Sequence, residues 1–560
     1  MNELADLLQN TFRTYQAGDT VAAEISIRNA LVKWPNNPDV LRLGALTALG
    51  VNFVTVAEQR LSAAEKLAPM TAEMANTRGN ILKVSGDWAG AERAYNLAER
   101  LDPNYDVVSQ NRLDLFIQSE QPGRILELLD SDDKLEEIKP YSKGLALISL
   151  GRFEAALSSL ESDRSNRFDD EIILAKIKCY AALGQLEQME SLLRDLPRDS
   201  SFAAEALGVV ANAFEMRGLR KKALDVISDI TSEVNIEVPV MMQAVRLLRR
   251  AESPKLADMI FKTVSANNPS DVDFILEKAN VALSEGDAKA SLEHCKMALQ
   301  LQPGNFQALI GYAQSALICG ANEDALSALQ GALMQAPNNQ FLLALMATLL
   351  RQMGQDHKVL YDYNNFVRVY DIAPPKGYET RLDFNLALKE KLNSLHVYSN
   401  APINQSLRHG TQTEVDLSFI EDPVLEDFFT AIDSSIRDYI KTIGYAPEHP
   451  LLRRNLGDYR IQGAWSVRLK ENGHHVNHVH PRGWISSAYY VDLPKYMNAT
   501  DQQGWIKFGE PNLKINQAAE HYVQPKVGRL VLFPSYMWHG TMPFTGPETR
   551  MTLPFDVVPA

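Results

Sequence analysis

A spacing of 34 residues, marked by glycine, alanine and proline, runs through the first two thirds of the chain and constrains its fold more than any other feature. From the N-terminus to about residue 370 the sequence has the pattern of amphipathic helices separated by turn signals at this fixed interval. Because a unit of this length cannot bury its apolar face alone, the period predicts helical hairpins that stack on one another. The first anchor positions are Gly18, Ala23, Ala30 and Pro35, then Asn52, Ala57, Ala64 and Pro69, then Gly86, Ala91, Ala98 and Pro103.

The register continues after a slip between residues 106 and 140, and it resembles the tetratricopeptide repeat in about ten or eleven units. Small alanines let two helices cross closely, glycine releases the chain into a turn, and proline stops the second helix. Residues 341–371 have the length of a unit but lack its alanine and proline anchors, as expected of a capping repeat. The later anchors are Gly151, Ala156, Gly184, Gly218, Ala223, Gly286, Ala298, Pro303, Gly320, Ala325, Ala332 and Pro337.

The resemblance implies a superhelix whose concave groove is lined mainly by the first helix of each unit. Such grooves usually hold peptide segments or another protein, so we expect a protein or peptide partner in the repeat groove. The alternative is a spacer or an oligomerisation surface, and the sequence does not predict the oligomeric state.

The charge balance limits the other classes of partner. The chain has 56 basic and 70 acidic side chains, a net charge of −14, so it has no general attraction for nucleic acid or for anionic membranes. The longest apolar stretch, residues 341–350, is about half the length of a bilayer crossing, and the N-terminus is acidic where a signal peptide is basic. Three scattered cysteines without a C-x-x-C pair argue against disulfides and a cysteine-bound metal. We therefore expect a cytoplasmic protein without a membrane segment.

The last third of the chain has a different composition, with all but two of the 11 histidines and four of the six tryptophans. The helical pattern ends at Ile372, which predicts a tetratricopeptide-repeat α-solenoid in residues 1–371 and a second domain in residues 372–560. In the second domain, helices at 380–395 and about 422–443 flank a loop at 404–413. The short strand-like runs that follow predict a double-stranded β-helix of the jelly-roll kind, so the fold class is α+β multidomain. These runs are 464–469, 476–480, 485–493, 505–508, 529–533 and 551–558.

Three histidines and an arginine follow one another in an ordered arrangement. His478 and His480 share one face of a strand, because side chains alternate with period two, so both can bind one ion. His539 ends another strand, and Arg550 and Thr552 come shortly after it. A non-haem ferrous site leaves open positions for a bidentate co-substrate and dioxygen, and an arginine fork can hold the far carboxylate of 2-oxoglutarate.

Several motifs resemble the bacterial 2-oxoglutarate–Fe(II) dioxygenases that carry N-terminal tetratricopeptide repeats. They are residues 405–413 (QSLRHGTQT), 465–469 (WSVRL), 477–481 (NHVHP), 483–490 (GWISSAYY) and 532–540 (LFPSYMWHG). The resemblance implies Fe(II), 2-oxoglutarate as co-substrate and O2. We predict that His478, His480 and His539 bind the metal and carry catalysis, and that Arg550, Thr552 and Tyr490 bind the co-substrate.

The sequence departs from the wider superfamily at His480, where an aspartate or glutamate usually stands. His480 is therefore open to three interpretations: an iron ligand, a donor behind the ligands, or a substrate contact. His475 points to the opposite face from His478 if the strand is regular, so we expect it on the surface or behind the ligands.

Other polar residues near these motifs have two interpretations each. Tyr489 and Tyr490 lie on a strand beside the site, where one phenol can bond the co-substrate or both can pack in the core. Arg408, Gln412 and Arg468 either contact substrate or brace loops.

Two functions from different classes follow. The first is an oxygenase that hydroxylates a protein, peptide or small molecule while 2-oxoglutarate is decarboxylated to succinate. The second is a repeat scaffold whose terminal barrel binds metal without turnover. A cupin-type enzyme is a weaker alternative, because it would show a glutamate soon after the histidine pair, and residues 481–491 contain no acid.

Overall fold

The structure is a computed structural model, and it describes residues 3–165, 167–232, 237–251, 253–267, 271–401, 406–495, 497 and 501–560. These residues form two compact units, one built mainly from residues 3–147 and the other from residues 148–157 and 167–559. The first unit is helical, and the second contains further helices and all of the described strands.

The repeat region consists of helices α1 to α21, as the 34-residue period predicts. Their bounds are α1 Glu3–Gln16, α2 Thr20–Lys33, α3 Pro38–Gly50, α4 Val54–Leu67, α5 Ala72–Ser85, α6 Trp88–Leu101, α7 Val107–Gln118, α8 Pro122–Ser131, α9 Lys139–Ser149, α10 Phe153–Glu161, α11 Asp169–Leu183, α12 Leu186–Asp195, α13 Ala203–Met216, α14 Arg220–Ser232, α15 Val238–Arg250, α16 Pro254–Asn267, α17 Val272–Glu285, α18 Ala288–Leu301, α19 Phe306–Cys319, α20 Asn322–Gln335 and α21 Gln340–Gln352.

The physical basis of the period is a left-handed residue between the two helices of most of the described hairpins. At Gly86 this conformation ends α5, and the next residue, Asp87, accepts a hydrogen bond from the backbone N–H of Gly90 and so caps α6. The interval between Glu120 and Gly151, 151 − 120 = 31 residues, contains the predicted slip. The residues with positive φ at this position are Gly18, Asn52, Gly86, Glu120, Gly151, Gly184, Gly218, Gly286, Gly320 and Gly354.

Small residues let the helices of a hairpin approach closely. A Cβ atom on Gly79 of α5 would lie 2.4 Å from the ring of Tyr95 on α6, so only glycine fits there without movement. Ala91 and Ala98, two of the predicted anchors on α6, are completely buried. The anchor residues therefore have the packing role that the sequence predicts.

Further helices and antiparallel strands follow the repeats. The helices are α22 Tyr363–Phe366, α23 Arg381–Leu395 and α24 Pro423–Ile443. The strands are β1 Arg368–Asp371, β2 Leu407–Gln412, β3 Tyr459–Ala464, β4 Val467–His475, β5 Ile485–Asp492, β6 Ile506–Phe508, β7 His521–Val523, β8 Arg529–Pro534, β9 His539–Thr541, β10 Arg550–Thr552 and β11 Phe555–Pro559.

The strands form two sheets, in agreement with the predicted jelly-roll class. One sheet has the order β1-β8-β5-β10-β4-β2, with β11 paired to both β5 and β3, and the other has the order β7-β6-β9. Residues 404–413 differ from the prediction: Leu407–Gln412 is a strand because its backbone pairs with β4, whereas residues 404 and 405 lie outside the described residues.

The last repeats and the sheets share one hydrophobic core. The indole N–H of Trp538 donates to the hydroxyl of Thr348 on α21 over 3.1 Å, and the Trp538 ring meets Phe341 edge to face. Tyr361 and Tyr536 each donate a hydroxyl to a backbone carbonyl on the opposite side of this junction, that of Tyr536 and of Leu360 respectively. The segment predicted to cap the repeats thus buries its apolar face against strands, and the division at 371/372 stays a prediction about folding units.

Candidate metal and co-substrate site

Three histidines converge because two separate segments of backbone pair beside the sheet. His478 and His539 exchange two backbone hydrogen bonds, of 2.9 and 3.1 Å, as an isolated antiparallel bridge. The backbone N–H of His480 donates to Ser535 over 3.0 Å. Residues 476–480 therefore do not form the predicted strand, although the extended backbone still brings both histidines to one site.

Hydrogen bonds orient all three imidazole rings. Nδ1 of His478 lies 2.8 Å from the carbonyl of Val476, and Nδ1 of His539 lies 2.9 Å from the carbonyl of Met537. Because a carbonyl oxygen only accepts, each Nδ1 carries the proton and each Nε2 presents a lone pair. The Nε2 atoms of His478 and His480 are 3.3 Å apart, and one ligand atom from each histidine lies within 4.8 Å of the others. Three imidazole nitrogens that converge at these distances form a donor set that fits a metal ion.

The environment keeps His478 and His539 neutral. Burial, together with the neighbouring imidazole of His480, lowers the pKa of His478 to about 3. Burial also lowers the pKa of His539 well below its usual value. At neutral pH both rings have the unprotonated nitrogen that metal coordination requires.

A cavity of about 360 Å³ opens on the three histidines, and Arg550 and Thr552 of β10 line it as well. Arg550 is fully buried, and its Nε atom has no hydrogen-bonding partner among the described residues. Burial lowers the pKa of this guanidinium, and Tyr490 opposes the shift. A buried cation facing a cavity with unused donors fits a ligand carboxylate.

The comparisons with known proteins agree with this geometry. Residues 463–556 match the model of a family described as "Putative 2OG-Fe(II) oxygenase", and residues 42–106 and 282–349 match models of the tetratricopeptide repeat. The chain carries a 2-oxoglutarate–Fe(II) oxygenase domain and tetratricopeptide repeats. No curated protein matches the chain.

Similar solved structures cover parts of the chain. A structure of Naa15/Naa10 bound to HypK-THB is 13% identical over 70% of this chain and 66% of that chain, with a TM-score of 0.25. The APC/C hetero-tetramer Cut9-Hcn1 is 14% identical over 62% of this chain and 84% of its own, with a TM-score of 0.25. A Pseudomonas putida prolyl-4-hydroxylase is 15% identical over 36% of this chain and 97% of its own, also with a TM-score of 0.25. In the described part of the chain, no helix combines the length and the apolar character that crossing a bilayer needs.

Tyr490 lies against Arg550, and its contact with the co-substrate stays a prediction. Its ring centroid lies 5.0 Å from the Arg550 guanidinium carbon, and Tyr490 is absent from the described residues that line the cavity. Burial raises the pKa of the Tyr490 hydroxyl, and the charge of Arg550 opposes this shift. Tyr490 therefore contacts the arginine rather than the open cavity. Tyr489 packs against Phe428, which agrees with the core interpretation.

His475 lies close to the ligand candidates instead of on the opposite face. Its ring centroid is 5.5 Å from that of His478, and its Nδ1 is 3.0 Å from the hydroxyl of Ser406. The prediction assumed a regular strand, but β4 ends at His475 and the chain turns before His478. His475 lines the cavity.

The remaining candidates separate into two groups. Gln412 lines the cavity, and so does Trp465, whose ring lies 5.6 Å from that of His480. Arg468 instead donates to Asn393 on α23, and Arg408 donates to the carbonyl of Leu407. These two arginines brace the structure around β2 and β4.

Asp556 is the site residue that the sequence reasoning missed. It lies on β11, lines the cavity and has both carboxylate oxygens within 2.8 Å of Nδ1 of His480. The sequence signal that could have found Asp556 is an acidic residue inside the apolar run Phe555–Val558. The neighbouring residues of this strand are buried.

Proposed function

We propose that the protein is an Fe(II)- and 2-oxoglutarate-dependent dioxygenase that hydroxylates a protein or peptide. The observation that carries this proposal is one cavity in which three oriented imidazoles and a buried arginine face the same space. Iron(II), when bound with 2-oxoglutarate, activates O2, so that 2-oxoglutarate, O2 and a C–H group are converted to succinate, CO2 and a hydroxyl group.

His478, His480 and His539 hold the metal ion through their Nε2 atoms in this proposal. With three protein ligands, an iron ion bound here would keep positions open for other ligands, as a non-haem ferrous site requires. The hydrogen bonds at the Nδ1 atoms fix the ring orientations before the ion binds, which keeps the ligands in place during turnover.

Arg550 holds the distal carboxylate of 2-oxoglutarate, and Thr552 assists it. Thr552 follows two residues later on β10 and lines the same cavity, so its hydroxyl is available on the same side of the strand. Tyr490 positions the guanidinium by packing against it.

The repeats recruit the substrate in this proposal. Tetratricopeptide repeats are interaction modules. The last repeat helices, up to α21, share a core with the oxygenase domain. A bound protein segment is thereby kept near the cavity, which raises its effective concentration there. Three free cysteines suit a reducing compartment, so we place the enzyme in the cytoplasm.

The decisive experiment measures bound iron and succinate formation with the full chain, Fe(II), 2-oxoglutarate and O2. We expect His478→Ala and His539→Ala to lose both. His474→Ala is the matched control, because His474 is bonded to the carbonyl of Asn472 and does not belong to the convergent set. Iron binding without succinate would instead favour the scaffold with a non-catalytic metal-binding barrel, and unchanged iron content in both variants would refute the ligand assignment.

A further inference from the structure

His480 differs from the other two histidines in what holds its ring. The acceptors for Nδ1 of His478 and His539 are neutral backbone carbonyls, whereas Nδ1 of His480 lies 2.7 and 2.8 Å from the two oxygens of Asp556. The side chains of His480 and Asp556 are only 12% and 11% exposed. The site therefore contains a nearly buried carboxylate whose hydrogen-bonding partner is an imidazole.

The local backbone is built to let these two side chains meet. Asp556 lies on β11 between its partners Gly463 on β3 and Ser486 on β5, and the register shifts directly after it. A Cβ atom on Gly483 would lie 3.4 Å from the Asp556 carboxyl carbon and 2.2 Å from the hydroxyl of Ser535. Glycine at 483 thus keeps the space beside the carboxylate free of a side chain.

The geometry assigns the carboxylate a position behind the imidazole. Because Nδ1 of His480 points to Asp556, its Nε2 points to the other side of the ring, where it lies 3.3 Å from Nε2 of His478. Asp556 is therefore aligned with the ring and not with the ligand atoms. Carboxylates in this arrangement orient a ligating histidine and increase its basicity.

We infer that Asp556 is a positioning residue that orients His480 and supplies negative charge to the metal centre through the imidazole. Three neutral imidazoles leave the charge of a divalent ion uncompensated by the protein, and Asp556 provides one negative charge across a single hydrogen bond. This inference rests on the proposed function, since it requires His480 to be a ligand.

The test measures Co(II) binding to the full chain, both as a dissociation constant and as the visible absorption spectrum of the bound ion. Asp556→Asn keeps the size and an accepting oxygen but removes the charge, so we expect about 10-fold or greater loss of Co(II) affinity with a nearly unchanged spectrum. Asp556→Ala removes charge and orientation, and we expect up to about 100-fold loss with an altered spectrum. Asp416→Asn is the matched control, because Asp416 accepts from Ala464 at the end of β3 and from Ser418, and does not line the cavity.

A double-mutant cycle separates action through His480 from a general effect of charge. In the His480→Ala background, Asp556→Asn should have little further effect on Co(II) affinity. An equal loss in both backgrounds, or unchanged affinity and spectrum in both Asp556 variants, would overturn the inference. If Asp556→Ala fails to fold, as judged by thermal unfolding of the metal-free chain, Asp556→Asn and the cycle decide the effect of the charge.

The same experiment distinguishes the two proposals. When the unchanged chain binds Co(II) and His478→Ala abolishes binding, the metal site stands, and wild-type behaviour of the Asp556 variants then removes only the inference about Asp556. When the unchanged chain binds no Co(II), the metal site and the role of Asp556 are both wrong.

Discussion

Two buried ionic side chains, Glu24 in the repeat region and Arg550 in the oxygenase domain, have contrasting surroundings. The Glu24 carboxylate is 4% exposed and accepts hydrogen bonds from Arg28, Thr47 and both terminal nitrogens of Arg60. Arg550 is as deeply buried, but its Nε has no partner among the described residues, and it faces a cavity. A buried charge with a full set of partners stabilises the fold, whereas one that keeps unused donors toward a cavity indicates a ligand.

The largest expected effect is the loss of stability on replacing Glu24. Glu24→Ala leaves Arg60, whose side chain is 13% exposed, without its anion, and we expect the free energy of unfolding to fall by about 3 to 5 kcal/mol. Urea unfolding followed by circular dichroism measures this change. Arg28→Ala is the control, because it removes only the exposed partner and should cost less than about 1 kcal/mol. Equal losses of unfolding free energy in Glu24→Ala and Arg28→Ala would show that burial of the charge does not determine the size of the effect.

A buried histidine that is fully hydrogen-bonded extends the comparison to pH. His396 contacts the hydroxyls of Thr411 and Ser466, and burial, followed by the charge of Arg468, lowers its pKa to about 4 from 6.5. The unfolded chain therefore binds a proton at His396 below pH 6.5, whereas the folded chain binds it only near pH 4. The stabilisation is complete above pH 6.5 and is lost as the pH falls toward 4, by roughly 3 kcal/mol in total.

The measurement is urea unfolding at about pH 7 and about pH 4.5, on either side of most of this titration, followed by tryptophan emission. In His396→Gln this part of the pH dependence should disappear, while the contributions of the other buried histidines remain. If the unchanged chain and His396→Gln lose the same free energy of unfolding between the two pH values, the assignment to His396 is wrong.

Replacing Arg550 should lower the affinity for 2-oxoglutarate without lowering the stability of the fold. Arg550→Met has similar volume and no charge, so we expect unchanged or higher thermal stability without co-substrate. The affinity for 2-oxoglutarate, measured by calorimetry on the Co(II)-loaded chain, should fall at least about tenfold, since a charge-assisted hydrogen bond contributes about 1.5 to 3 kcal/mol. Metal binding should remain. A large loss of stability with unchanged 2-oxoglutarate affinity would place Arg550 with Glu24 as a structural ion.

The smallest effect concerns the backbone of the repeats. Gly86 has φ +81, and a Cβ atom at this position would meet no other atom within 4 Å, so Gly86→Ala should cost about 1 kcal/mol from the left-handed conformation alone. Glu120 occupies the corresponding turn with φ +53, so Glu120→Gly should be about 1 kcal/mol more stable than Glu120→Ala. Thermal unfolding checks whether the glycine–alanine difference is the same at both turns. A difference at only one of them would mean that neighbouring contacts, and not φ, decide the effect.

The repeat region could be predicted closely because its determinants are local. Gly86 and Asp87 end one helix and begin the next within two residues, and a residue with positive φ recurs at the corresponding turns. The slip in the register falls between Glu120 and Gly184, where two successive intervals are 151 − 120 = 31 and 184 − 151 = 33 residues. Local conformation and close packing at small residues need no information from distant parts of the chain.

The sequence by itself determined the helical repeat, the strand-rich region and the order of His478, His480, His539 and Arg550, since these follow from spacing and residue type. Only the tertiary structure decided that Tyr490 lies against Arg550, that His475 is beside His478, and that Asp556, 76 residues from His480, holds its ring. The physical reason is that strand ends, register shifts and contacts between strands depend on pairing partners far apart in the chain. Periodicity records which side chains share a face, but it contains no information about which distant strand lies opposite.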